Sequence, residues 1–149
     1  MKESVQLMDE LRRLFDSQRL AVLATQGGGQ PYGNLVAFAA TDDLKRLLFM
    51  TPHDTRKYSN IKSESRVSVL IDSRHNLESD FRDAMAVTAM GTAKEVADAE
   101  RDPLMAIYLA KHSYLSQFAR LPGNVMVEVL VESYVLAKFD SVVRLPLSR

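Results

Sequence analysis

Apolar residues recur along this chain with two different periods. Between residues 5 and 15, Val5, Leu7, Met8, Leu11, Leu14 and Phe15 follow three- and four-residue steps, with Asp9, Glu10, Arg12 and Arg13 opposite. That spacing predicts an amphipathic helix with Ser4 as its N-cap. Beyond it the period shortens to that of strands. Residues 19–25 read as a short, largely buried strand containing Leu20, Val22 and Leu23. Gln26-Gly27-Gly28-Gly29 reads as a turn, since glycine tolerates positive φ. A second strand follows at 30–40, a turn at Thr41-Asp42-Asp43, and a third strand at 45–51 with Leu47, Leu48 and Phe49. Loops this short imply antiparallel hairpins, because parallel pairs need long crossovers.

The second half continues in the same way. Residues 55–63 predict a short helix, and 65–72 a fourth strand with Val67, Val69 and Ile71 on one face. Residues 73–82 form a polar loop, and 84–96 a fifth strand in which Gly91 marks a bulge or a close backbone approach. Asp102 before Pro103 predicts a helix start. Leu104, Ile107, Tyr108, Leu115 and Phe118 keep helical spacing to about residue 119, where Pro122-Gly123 ends the segment. Val125, Val127, Val129 and Val131 alternate with Met126, Glu128, Leu130 and Glu132 in a half-buried sixth strand. Residues 134–139 extend it or form another. About six mainly antiparallel strands that bury one face predict a closed or partly closed barrel.

Composition narrows the function. A chain of 149 residues has the length of one domain. Its expected parts are an N-terminal helix (1–17), a barrel core (18–97), a helical segment (98–122) and closing strands (123–149). Lys+Arg and Asp+Glu are both 19, so the net charge is zero. A protein that coats nucleic acid or an anionic membrane needs a basic excess, and the chain also lacks the tryptophan of a stacking platform. No run of 18 apolar residues suggests a membrane span, and Met1-Lys2-Glu3-Ser4 does not open a signal peptide. The absence of cysteine removes disulfides, thiolate metal sites and Cys nucleophiles, and suits a cytoplasmic location. His53, His75 and His112 are scattered without i,i+4 spacing; each reads as a surface or loop residue, and no metal site is expected. A G-x-S-x-G elbow is absent. Gly28 to Gly33 has P-loop spacing, but Asn34 stands where the lysine belongs and a strand follows instead of a helix.

Two stretches carry candidate chemistry. Phe49-Met50-Thr51-Pro52-His53-Asp54-Thr55-Arg56-Lys57 joins a strand end to a helix start. Cations in a first helical turn oppose the dipole, at about 0.3–1 kcal/mol each, and a bound anion reverses that sign. Free backbone N–H groups, the hydroxyls of Thr51 and Thr55, a guanidinium and an ammonium would make a phosphate cradle. The alternative is a solvated helix with two surface cations. In the second strand, Val36, Ala37, Phe38, Ala39 and Ala40 follow Tyr32-Gly33-Asn34. Such small side chains either let a flat ring lie against the strand or pack it beneath another element.

These features, in this order, resemble the pyridoxamine 5'-phosphate oxidase-like family of FMN-binding split β-barrels. Leu20-Ala21-Val22-Leu23-Ala24-Thr25, Gln30-Pro31-Tyr32-Gly33-Asn34-Leu35-Val36-Ala37-Phe38, Leu48-Phe49-Met50-Thr51, Thr55-Arg56-Lys57-Tyr58-Ser59-Asn60-Ile61, 65–72 and Gly91-Thr92-Ala93 carry the resemblance. It implies a six-stranded antiparallel split barrel and a homodimer with FMN at the interface. Asn34, Leu35, Val36, Ala37 and Phe38 would touch the isoalloxazine, largely through backbone. Met50 and Thr51 would approach the ribityl–phosphate region, and Thr55, Arg56 and Lys57 match the family's phosphate-binding step. The implied activity is that of a flavin-dependent oxidoreductase acting on a small or planar substrate, with no catalytic side chain identified. No histidine follows His112, so the substrate-phosphate pocket of true pyridoxamine-phosphate oxidases is not matched. Ile107-Tyr108-Leu109-Ala110-Lys111-His112 and 127–139 look more like the heme-utilisation branch, whose extra C-terminal domain is not expected in this length. The alternatives are a non-catalytic flavin, heme or tetrapyrrole binder, and a reductase using the deazaflavin F420.

Overall fold

A computed structural model describes residues 2–148; Met1 and Arg149, at the ends of the stretches read above, lie outside the described residues. Helix α1 (Lys2–Ser17) buries Leu11, Leu14 and Phe15. Ser4 lies inside this helix and does not cap it, because Lys2 and Glu3, both good helix formers, start it earlier. Seven strands follow: β1 (Leu20–Gly27), β2 (Gln30–Ala40), β3 (Arg46–Pro52), β4 (Arg66–Asp72), β5 (Ala86–Glu95), β6 (Asn124–Lys138) and β7 (Ser141–Pro146). Their order is β3-β2-β1-β4-β5-β6-β7, and β3 also pairs with β6. All pairs are antiparallel. Strands β1 to β6 therefore close a six-stranded antiparallel barrel, with β7 attached to β6.

The second half of that barrel depends on one irregularity. β6 is a single strand; it carries an extra residue, Glu132, between Val131 opposite Gly91 and Ser133 opposite Met90. An added Cβ at Gly91 would run into the Leu130 carbonyl, so bulge and close approach coincide there. β7 escapes the hydrophobic pattern because Val142 and Val143 are adjacent and both exposed.

The helices differ more from the sequence reading. α2 (Arg56–Ser63) lies where expected, and α3 (Asp80–Asp83) is one turn at the end of the polar loop. α4 (Asp98–Lys111) begins four residues before Asp102, and Pro103 lies inside it. Acidic Asp98 and Glu100 suit the N-terminal end of the dipole, and Pro103 stands on the exposed side. α4 stops at Lys111; a 3-10 turn (Ser113–Leu115) and α5 (Ser116–Ala119) carry Leu115 and Phe118. No described helix is long and apolar enough to cross a membrane.

Two apolar clusters result. Inside the barrel, Leu23, Phe38, Val69 and Tyr134 pack with Leu11 and Phe15 of α1. Outside it, Ala39, Leu48, Met50 and Met126 pack under Leu104 and Tyr108 of α4. β2 contributes alternate residues to both layers, which explains its small, apolar run.

Candidate functional site

β2 pairs with β1 from Gln30 to Ala37 but with β3 only over Phe38–Ala40. Past that point β3 runs beside β6, through Met50, Thr51 and Pro52. The barrel is thus split along β2. Successive residues of a strand turn their N–H and C=O groups to opposite edges. The Phe38 N–H bonds the Arg19 carbonyl on the β1 side (3.2 Å). Gly33, Leu35 and Ala37 therefore face the split, and no strand stands opposite their N–H groups. The carbonyl of Leu35 accepts from the Asn34 amide (3.4 Å), and that of Ala37 from the Tyr108 hydroxyl (3.3 Å).

Side chains of the same stretch divide between the faces. Val36 and Phe38 are core residues, so any part they play at the split is through backbone. Leu35 projects outward and is 62% exposed. The Oδ1 of Asn34 is buried without a partner among the described residues. An acceptor left in this state is costly unless a donor completes it.

Below the split, the end of β3 turns into α2. The Thr51 and Thr55 hydroxyls are 2.9 Å apart, and each lies within hydrogen-bonding reach of the Pro52 carbonyl (3.1 and 3.0 Å), so one donates to that carbonyl and the other to the carbonyl or to its partner hydroxyl. Thr55 is the N-cap of α2, accepting from the Tyr58 N–H (3.4 Å). Arg56 and Lys57 open the helix, whose first turn carries no acid. Arg56 lies over the Tyr32 ring of β2, its guanidinium carbon 5.1 Å from the ring centroid. Lys57 is half-buried and makes no ion pair among the described residues. Burial holds its ammonium below the usual lysine range. A partly desolvated cation without a counter-ion is a place for an anion.

α2 is fastened to the barrel by residues that its sequence pattern does not single out. The buried Asn60 amide donates to the Thr25 hydroxyl (3.0 Å), and Gly27 leaves room for the Asn60 Oδ1. Gly27, Gln30, Tyr32, Arg56 and Asn60 line a cavity of about 210 Å³ beside the helix start.

His112 corrects the sequence reading, which made it a surface or loop histidine: it is fully buried at the end of α4. Its Nε2 lies 2.7 Å from the Phe38 carbonyl, so Nε2 carries the proton and donates, and Nδ1 accepts from the Tyr114 hydroxyl (3.1 Å). Burial lowers its pKa against the opposing effect of the Phe38 bond, and the charges of Lys111 and Arg19 lower it further. Tyr108 and His112 thus hold β2 where its pairing changes from β1 to β3. No periodicity marks that role, since the partners are backbone carbonyls more than 70 residues away.

Comparison with known proteins places this geometry. The sequence model of the family described as pyridoxamine 5'-phosphate oxidase matches residues 7–136. No curated protein sequence matches the chain. Among solved structures, a heme-binding protein from Mycobacterium smegmatis superposes with a TM-score of 0.83 at 15% identity, over 93% of this chain and 57% of that one. An FAD-binding protein from Mesorhizobium loti gives 0.68 at 19%, over 85% and 89%. A protein related to general stress protein 26, of the pyridoxinephosphate oxidase family from Clostridium acetobutylicum, gives 0.73 at 15%, over 95% of each chain. The chain thus spans little more than half of the mycobacterial protein. At these identities the likeness is one of fold.

Proposed function

The chain belongs to the pyridoxamine 5'-phosphate oxidase family, and from that premise we propose that it is an FMN-dependent oxidoreductase working as a homodimer, with residues 1–149 forming one split-barrel domain. The observation that carries this reading is the meeting of two features at one opening. An unpaired strand edge at Gly33, Leu35 and Ala37 lies beside a helix start that gathers Thr51, Thr55, Arg56 and an unpaired, half-buried Lys57. The first suits the polar rim of a flat ring, and the second a phosphate monoester.

Each residue then has a part. Thr55, Arg56 and Lys57 would hold the phosphate, fully buried Thr51 would position Thr55 through its hydroxyl, and the backbone of Met50 would border the ribityl chain. The β2 backbone from Asn34 to Phe38 would carry the ring. FMN when bound supplies the hydride or electron transfer, and the protein binds and orients it. The substrate would be small or planar and would lie against the exposed ring face. A second copy would complete the site, since the outer face beside the split is apolar: Leu20 and Leu35 are 50% and 62% exposed, with Val22 paired to Leu35 on one side and to Leu70 on the other.

FMN titration of the purified protein tests this reading. Bound flavin gives bands near ~370 and ~450 nm, whereas bound heme gives a Soret band. The double variant Arg56→Ala, Lys57→Ala should lose about 1.5–3 kcal/mol per charge-assisted bond, or more than about tenfold in affinity for each. An unchanged affinity in the double variant, or a protein that takes up no FMN, overturns it.

A further inference from the structure

A second, larger cavity has no part in that reading. It holds about 700 Å³ at the far end of β2, between the last turns of α1, the β2–β3 turn and the end of α4. Its buried surface is apolar, with Phe15, Ala39 and Leu44, and Ile107 and Ala110 extend that surface along α4. The volume lies within the range of small-molecule sites, about 300–1,000 Å³.

One charged residue of the lining is less exposed than the others. Lys111 is half-buried, whereas Arg12, Asp16 and Asp42 stand exposed around it. The Lys111 Nζ donates to the Phe15 carbonyl (2.7 Å) and lies 3.8 Å from the centroid of the Phe38 ring. Those contacts use two of its three N–H directions, and both partners carry only partial charge. No carboxylate lies within 4.0 Å of it among the described residues. Arg12 is already engaged at the rim, with Asp9 (3.2 Å) and the Asp42 carbonyl (3.4 Å).

We propose that this cavity binds a small monocarboxylate with an apolar body, its carboxylate paired to Lys111 and its body against Phe15, Ala39, Leu44 and Ile107. One free N–H on one ammonium matches one carboxylate. Phosphate esters carry more charge and need more donors, and Asp16 and Asp42 at the rim repel a dianion about twice as strongly as a monoanion. The apolar floor favours an aromatic or branched aliphatic group over a polar one. The site is separate from the split and does not depend on the flavin reading.

Titration of the full chain with phenylacetate, followed by backbone amide NMR shifts, tests the assignment. Saturable binding with shifts at Ala39, Ala40, Ile107 and Ala110 is expected. Phenylacetamide, equal in shape but uncharged, should bind at least tenfold more weakly. Lys111→Met, which keeps the stem and removes the charge, should weaken phenylacetate at least tenfold and leave phenylacetamide unchanged. If Lys111→Met does not fold, the comparison of acid with amide on the natural chain decides by itself. Equal binding of acid and amide, shifts confined to other surfaces, or no saturation overturns the proposal.

Discussion

Lys111 holds a half-buried ammonium, and that has a consequence for stability. Burial lowers its pKa from the ordinary 10.5 to about 8, against the opposing charge of Asp16. Between those two values the unfolded chain holds a proton that the folded chain has released, so stability rises with pH across that window. Below about pH 8 both states are charged and the folded state bears the full desolvation cost. Lys57 acts in the same direction. In Lys111→Met, the gain in urea midpoint between pH 7 and pH 9 should therefore be smaller than in the natural chain. An equal gain would mean that the amine is well solvated. None of this is legible locally, because Ala110-Lys111-His112 reads as an ordinary helix end. The burial of Lys111 and His112 comes from Phe15 and Phe38, which the chain brings there from a distance.

At the scale of elements, α2 is the segment whose sequence and structure agree most closely. Thr55 sits one residue ahead of Arg56, accepts from the Tyr58 N–H, and shares a proton with Thr51. Thr55→Ala should cost about 1 kcal/mol in chemical denaturation, as the loss of an N-cap does, and Thr55→Ser should restore most of it. If the hydroxyl also serves the phosphate, the alanine variant loses FMN affinity as well. α4 shows the opposite case. Asp102-Pro103 looks like a start signal, yet the helix begins at Asp98 and accommodates the proline on its exposed side. Acidic Asp98 and Glu100 in the first turn suit the dipole and carry the helix start ahead of the local signal. β6 likewise reads as one strand or two, and only the opposing Gly91 shows that it is one strand with a bulge.

For the whole molecule, the proposed dimer is the point most open to test. Leu35 faces outward beside the split, so Leu35→Glu would place a charge on the apolar outer face without disturbing the interior. The natural chain should elute from gel filtration at twice the chain mass, and Leu35→Glu at the chain mass with at least about tenfold weaker FMN binding, roughly 1.4 kcal/mol. A natural chain that binds FMN tightly as a monomer would remove the second copy from the site. The sequence alone determined the strand and helix periods, the antiparallel hairpins, and the gathering of Thr51, Thr55, Arg56 and Lys57 around one helix start, because these rest on neighbours within a few residues. The tertiary structure alone decided which edge of β2 is left unpaired, how Tyr108 and His112 anchor it, and where Lys111 is half-buried. Those features arise between groups far apart in sequence. Barrel closure at β3 and β6 sets their meeting, and no local pattern records it.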